Sequence, residues 1–156
     1  MLRVEIPGFQ TVEIAHLVCD YNGTLAEDGH LIPGVAEKLR QVAERVTIHV
    51  VTADTFGRAR QELVDLPCTC IILPPGDQSA AKGDFVRQLG APQTAAIGNG
   101  RNDQQMLQEA VIGIAVLNAE GAAAQTLLHA AVVCRHIHDA LQLLLEPRRL
   151  IATLRA

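Results

Sequence analysis

Two short stretches of this chain hold the residue types that could do chemistry. Asp20-Tyr21-Asn22-Gly23-Thr24 follows one apolar run, and Gly98-Asn99-Gly100-Arg101-Asn102-Asp103 follows another. Each joins a carboxylate to glycine at what reads as the end of a strand, an arrangement suited to holding a cation and a phosphate. Each also has an asparagine where a second carboxylate would make ordinary chemical sense. A carboxylate such as Asp20 can attack phosphorus and form an acyl phosphate. A hard divalent cation with oxygen ligands offsets the repulsion between that carboxylate and a phosphate. Thr52 can donate a hydrogen bond to a phosphoryl oxygen, and Lys82 can neutralise developing charge without being consumed. Gly23 and Gly100 give backbone freedom where amides approach an anion closely.

The elements that must position these residues are legible as apolar runs. Leu17-Val18-Cys19 leads into Asp20, the run 46–51 into Thr52-Ala53-Asp54, the run 70–73 into Pro74-Pro75-Gly76, and Ala95-Ala96-Ile97 into Gly98. The runs 112–116 and 132–133 continue the series. Such runs, with few polar interruptions, fit strands covered on both faces. Helical patterns lie between them, over about 33–42, 57–66, 79–89, 102–110, 121–128 and 138–145, with Pro33 as a first helical residue and Pro147 ending or bending the last element. The alternation predicts an α/β fold with right-handed crossovers and a mainly parallel sheet. Leu2 to Ile14 alternates in twos around Pro7-Gly8, which predicts a small hairpin (residues 1–15) on the edge of the larger sheet. Residues 16–135 then form the motif-bearing core and 136–156 a helical tail, all in one domain. In open α/β sheets ligands bind at the carboxyl ends of strands, and the four polar clusters fall at such ends.

Bulk properties bound the partners. The chain has 156 residues, 49% hydrophobic, with three Phe and one Tyr, so its core is aliphatic. A formal net charge of −4 disfavours nucleic acid, and Arg148-Arg149 reads as a solvated helix face. No stretch approaches the roughly 18 apolar residues of a membrane span, and no signal segment is evident, so a soluble cytoplasmic protein without membrane partners is expected. Of Cys19, Cys68, Cys70 and Cys134, three lie in or beside predicted strands and read as buried free thiols; Cys68 and Cys70 would share a strand face but lack partners at zinc-site spacing. His16, His49 and His129 read as packed or interfacial, Arg58 and Arg101 as surface residues, and Asp54 as a cap for the helix after it. The apolar tail from Leu143 to Leu154 either completes the monomer core or docks on a second subunit as a homo-oligomer.

On the motifs quoted above, the chain resembles the haloacid-dehalogenase-like hydrolase superfamily over residues 16 to about 135. Asp20-Tyr21-Asn22-Gly23-Thr24 is similar to its first motif, in which an aspartate nucleophile stands two residues before a second aspartate and Gly-Thr. Thr52 is similar to the second-motif hydroxyl and Lys82 to the third-motif lysine. The run 98–103 resembles the fourth motif, Gly-Asp-Gly-x-Asn-Asp, of P-type ATPases and small phosphatases related to them. The resemblance implies a three-layer Rossmann-like sandwich without a cap domain, like the phosphorylation domain of those ATPases but without transport segments. It implies a magnesium-dependent phosphohydrolase acting on a phosphorylated small molecule or phosphoprotein through an aspartyl phosphate. Asp20, Asn22, Thr52 and Lys82 would be the catalytic set. Asp20, Asn22, Asn99 and Asp103 would surround the cation, and Gly23, Thr24, Ala53, Gly100 and Asn102 would face the substrate, Asn102 also holding loop geometry.

Two departures from the family pattern set the expected speed. The carboxylate that Asn22 replaces serves relatives as acid and base, a contribution of about 10²–10⁴ in rate, and an amide cannot titrate in its place. Turnover should therefore be slow for poor leaving groups, with the aspartyl phosphate outliving its formation. Asn99 replaces a carboxylate at the cation, and an amide oxygen ligates without charge, so magnesium affinity should be weakened. A protein that binds phosphate or a partner without turnover is the other reading of the same two amides.

Overall fold

The computed structural model describes all residues 1–156. Its centre is a six-stranded parallel sheet formed by β3 (His16–Cys19), β6 (Thr47–Thr52), β7 (Cys68–Ile72), β8 (Thr94–Gly98), β9 (Ile112–Val116) and β10 (Val132–Cys134), in the spatial order β10-β9-β8-β3-β6-β7. β3 lies in the middle, with Cys19 level with Val50 of β6 on one side and Ile97 of β8 on the other. The chain first winds outward from β3 through β6 to β7, then returns to β8 and winds out the other way. The order reverses between β3 and β8, and it is there that loops part and leave a crevice at the strand ends. Asp20 leaves β3 and Asn99 leaves β8 at this point.

The apolar runs are continuous because both faces are covered. Along β3, Leu17 and Cys19 point into the larger core and Val18 into the smaller; along β8, Ala95 and Ile97 face the larger and Ala96 the smaller. The larger core takes α1 (Val35–Ala43), α2 (Ala59–Leu63), α6 (Ile137–Leu145) and α7 (Pro147–Leu154). The smaller takes α3 (Gln78–Leu89), α4 (Gln104–Glu109) and the side of α5 (Ala124–His129) bearing Leu127. Small residues on the sheet let these last helices lie close: a Cβ at Gly113 would collide with the Leu107 carbonyl of α4, and one at Gly83 of α3 would stand 3.0 Å from the Gln105 Cβ. That close approach lets a lysine on α3 reach under the strand ends.

Three expectations change in detail. The hairpin of β1 (Leu2–Ile6) and β2 (Gln10–Ile14) is a separate antiparallel ribbon, not an extension of the large sheet. It runs straight into the central strand β3, so it cannot reach either sheet edge, which β7 and β10 occupy; instead Val4, Ile6, Val12 and Ile14 close the larger core beside α7. Pro33 lies ahead of α1, whose N-cap is Gly34 at φ 85°. Pro147 begins the separate helix α7. A second ribbon, β4 (Ala26–Glu27) with β5 (His30–Leu31), turns on Asp28 and Gly29 at φ 51° and 83°. Two successive left-handed residues are what a tight type I′ hairpin requires, and Asp-Gly supplies them. The Tyr21 hydroxyl donates to the Gly29 carbonyl at 2.9 Å and pins this flap beside the crevice. There is no separate cap domain.

Candidate active site

Asp20 sits on the last turn of chain beyond β3, its backbone N–H donating to the Ile97 carbonyl of β8 at 3.0 Å. Its side chain is almost wholly buried. Beneath it the fully buried Lys82 ammonium donates to Asp20 Oδ1 at 2.6 Å and to Asp103 Oδ1 at 2.7 Å. Asp103 Oδ2 in turn accepts the backbone N–H groups of Asn99 and Gly100, each at 2.9 Å. One lysine thus ties the Asp20 carboxylate after β3 to the loop after β8. Burial and the Asp103 carboxylate raise the Asp20 carboxyl to about 6 against the opposing pull of Lys82. Burial alone would lower the Lys82 ammonium, but the two carboxylates outweigh it and hold the lysine above its ordinary value.

Above this triad lies a polar cavity of about 200 Å³, lined by Asp20, Asn22, Thr52, Ala53, Thr55, Asn99, Gly100, Asn102 and Glu120. Thr52 is buried, and its Oγ accepts the Asp54 N–H at 2.9 Å, leaving its own proton to donate. Asp54 Oδ1 accepts from the N–H groups of Arg58 and Ala59, each at 2.9 Å, and so serves the start of α2 as expected. Thr24 Oγ stands 3.3 Å from Asp20 Oδ2 and 3.2 Å from Asn99 Oδ1, so its single proton serves one or the other. Asn99 Nδ2 donates to the Gly121 carbonyl at 2.9 Å.

Seven of the residues expected at the site share the cavity wall: Asp20, Asn22, Thr52, Ala53, Asn99, Gly100 and Asn102. Lys82, Asp103, Thr24 and Gly23 stand behind it. The Gly23 N–H donates to the Ala26 carbonyl and that of Gly100 to Asp103, so neither amide is held in reserve for an anion. Gly23 is needed for another reason: at φ 78° a Cβ there would collide with the Asn99 amide. Two residues, Glu120 and Asn118, escaped the sequence reading, whereas Thr55 belongs to the polar cluster 52–55. Glu120 and Thr55 line the cavity. The buried Asn118 donates from Nδ2 to the carbonyls of Gly23 (3.1 Å) and Thr24 (2.8 Å) and accepts the Ile137 N–H at 2.9 Å. Asn118 and Glu120 follow the apolar run 112–116 just as Asp20 follows 17–19, and treating this fifth strand end like the others would have found them.

The residues fit a hard cation. Asn22 Oδ1 is buried without a hydrogen-bond partner, in a residue that shares the cavity wall with the Asp20 carboxylate. Oxygen donors of this kind suit magnesium. No group of three His, Cys, Asp or Glu side chains is placed to hold a metal, and Asp103 has both oxygens engaged by Lys82 and the loop amides. The four cysteines are free thiols. Burial pushes Cys68 and Cys134 up to about 11, which leaves them inert. A larger opening of about 660 Å³ beside His16, Thr47 and Cys68 lies at the amino ends of the strands, away from all these groups.

A carboxylate, a hydroxyl, a lysine and a second carboxylate-bearing loop are thus gathered at the switch point of a parallel sheet. Residues 82–139 match the family model of haloacid dehalogenase-like hydrolases. The fold matches a 3-deoxy-D-manno-octulosonate 8-phosphate phosphatase from Moraxella catarrhalis, solved with magnesium, phosphate and KDO, at TM-score 0.66 and 20% identity, covering 91% of this chain and 94% of that one. It also matches the cobalt-bound form of the corresponding phosphatase from Haemophilus influenzae, at TM-score 0.71 and 16% identity over 88% and 90% of the two chains. An uncharacterized protein of Methanocaldococcus jannaschii is 50% identical over 60 residues, which are 38% of this chain and 64% of that protein. At 16–20% identity the structural likeness is one of fold. Residues 82–139 are thus similar in sequence to haloacid dehalogenase-like hydrolases, and the chain as a whole shares the fold of these phosphatases. No helix is long and apolar enough to cross a membrane.

Proposed function

We propose that this protein is a magnesium-dependent phosphohydrolase that cleaves a phosphomonoester or acyl phosphate through an aspartyl phosphate at Asp20. One observation carries the reading: a buried carboxylate, charge-paired at 2.6 Å to a buried lysine, forms the floor of a polar cavity whose wall holds an unpartnered buried amide oxygen. Lys82 and Thr24 hold Asp20 by one oxygen each, which orients the carboxylate toward the cavity. Thr52, with its proton free, and Asn102 receive the phosphoryl oxygens. Asp103 acts through Lys82 and the amides of Asn99 and Gly100 rather than by reaching the substrate. Bound at Asp20, Asn22 and Asn99, magnesium would supply charge neutralisation between carboxylate and phosphate.

Asn22 makes this a slow catalyst for substrates with poor leaving groups. The likeness of 98–103 to the P-type ATPase motif fits a phosphoenzyme of appreciable lifetime. The substrate in this reading is a small phosphorylated molecule, the protein works in the cytoplasm as one domain, and nothing in the cavity recognises nucleic acid. Incubation with magnesium and aryl, acyl and sugar phosphates tests it, with Asp20→Asn as control. Turnover lost in that variant, together with acid-stable label on Asp20 from a labelled acyl phosphate, supports the proposal. Phosphate binding that needs Asp20, with no turnover of any substrate, establishes instead a family member that binds without hydrolysis.

A further inference from the structure

Hydrolysis through Asp20 needs a proton twice, and Asn22 cannot move one. The leaving oxygen must gain a proton in the first half-reaction, and water must lose one in the second. Of the nine residues on the cavity wall, only Asp20 and Glu120 are acids, and Asp20 is committed as the nucleophile. Glu120 comes from the loop after β9, a different strand end from the one that carries the missing carboxylate.

The loop that carries Glu120 is fastened to the site on both sides of it. Asn118 binds the carbonyls of Gly23 and Thr24, immediately after Asn22. On the other side the Gly121 carbonyl accepts from Asn99 Nδ2 at 2.9 Å, and the Ala123 N–H donates to the Asn99 carbonyl at 2.8 Å. Gly121, at φ 72°, lets the chain turn back between these anchors. Glu120 itself is exposed, and its Oε1 accepts the Asp28 N–H from the flap at 3.2 Å. A single neutral backbone donor on one oxygen leaves the other oxygen and the side-chain rotamers available to the cavity. The carboxyl therefore has a fixed base and an exposed tip that lines the cavity, within reach of solvent water.

We propose that Glu120 is the general acid and base of this site, in place of the amide at Asn22. The proposal rests on the phosphohydrolase reading. In the first half-reaction an Asp20 oxygen bonds to phosphorus while the bond from phosphorus to the leaving oxygen breaks. The electron pair stays on that oxygen, which takes the proton of the Glu120 carboxyl. In the second, the Glu120 carboxylate takes a proton from water as the water oxygen bonds to phosphorus. The bond between phosphorus and Asp20 then breaks with its electron pair returning to Asp20, inorganic phosphate leaves, and Glu120 is again protonated. The role is a catalytic one, since the carboxyl touches the leaving oxygen and the attacking water.

The test compares Glu120→Gln and Glu120→Asp with the parent in rapid-mixing kinetics, using the full chain with magnesium. One substrate is p-nitrophenyl phosphate, whose leaving group needs no proton; the other is an alkyl phosphate, whose leaving group does. In Glu120→Gln the burst of p-nitrophenolate keeps its rate, the steady state after it falls about 10²-fold, and single turnover of the alkyl phosphate falls by a similar factor. Glu120→Asp, which keeps an acid, outperforms Glu120→Gln in both slow steps. A carboxylate that only latches the loop to the flap would give a different pattern, with burst and steady state slowed together or neither slowed, and either result overturns the proposal. If the parent turns over, Asp20→Asn does not and Glu120→Gln matches the parent, the inference about Glu120 fails while the phosphohydrolase stands. A parent that turns over neither substrate overturns both.

Discussion

Replacing Lys82 with methionine tests the electrostatic core of the site. The side chain is fully buried, and its ammonium is the only cation paired with Asp20 or Asp103, at 2.6 and 2.7 Å. Methionine keeps much of the apolar stem and removes the charge. Breaking a buried ion pair by removing one partner costs about 3–5 kcal/mol, because the other partner stays buried without compensation. Here two carboxylates lose their partner at once, so the upper part of that range is expected near neutral pH.

The pH dependence of that loss is fixed by sign. In the parent, burial and Asp103 raise the Asp20 carboxyl from its ordinary 3.8 to about 6, with Lys82 pulling the other way. A carboxyl raised in the folded state binds its proton more tightly there than in the unfolded chain, so stability falls as pH rises between the two values and levels off above the folded one. Moving the carboxyl from 3.8 to about 6 corresponds to about 3 kcal/mol of destabilisation above pH 6. Without Lys82 the folded value climbs further, and the falling limb extends to higher pH at up to about 1.4 kcal/mol per pH unit. Urea unfolding in the presence of a chelator, for parent and Lys82→Met at pH 5 and pH 8, reads both quantities. The variant should be less stable by about 3–5 kcal/mol at pH 8, and the deficit should shrink by about 2 kcal/mol at pH 5. A deficit equal at the two pH values would assign the loss to packing. One that grows toward acid would refute the charge argument.

The same electrostatics predict that Asp20→Asn, though inactive, stabilises the metal-free protein above pH 6 by up to about 3 kcal/mol, read as a higher urea midpoint and absent at pH 4. Asn22→Asp placed in the Glu120→Gln background should raise turnover of alkyl phosphates at least about tenfold by putting an acid beside Asp20, and unchanged kinetics with an intact fold would sink the acid–base account of Asn22. Asn118→Ala strips hydrogen bonds from three buried backbone groups and should cost about 2–3 kcal/mol in unfolding free energy; a loss below about 0.5 kcal/mol would show that the loops are held otherwise. Magnesium alone should bind with millimolar rather than micromolar affinity in calorimetric titration, and phosphate should tighten it; micromolar binding without phosphate would contradict the neutral-donor site.

The sheet was legible in the sequence because both of its faces are covered, which writes each strand as an unbroken apolar run, and Asp20, Thr52 and Gly98 could be placed at strand ends from that alone. What stayed hidden depends on tertiary approach. Alternation in Leu2–Ile14 reveals a ribbon with one buried face, yet nothing in it says which surface that face covers; the route into the central β3 decides. Asp28-Gly29 is a tight-turn signal between strands of two residues each, too short for alternation to show. Lys82 is one lysine of a helix by pattern. Its burial goes with close packing that the helix pattern does not show: Gly83 lets α3 lie against α4, and Gly113 lets α4 lie against the sheet. The direction of Asp103 likewise depends on the turn 101–103, which aims its carboxylate back at Lys82 and at the loop amides.

The two amides belong to one charge balance. Asp20 and Asp103 against Lys82 leave the triad with a net negative charge before any ligand arrives. In the proposed reading, a divalent cation held by Asp20 and neutral amide oxygens would turn that surplus positive, and the cavity would then attract a phosphate dianion. With aspartates at positions 22 and 99, the same cation would leave the site negative. The substitutions therefore trade affinity for the cation against affinity for the phosphoryl group once the cation is present. By reciprocity, whatever the bound cation adds to phosphate binding, phosphate adds to cation binding. A site of this kind assembles with its substrate rather than ahead of it. The other acid of the cavity wall, Glu120, is solvent-exposed, where water screens its charge from Asp20.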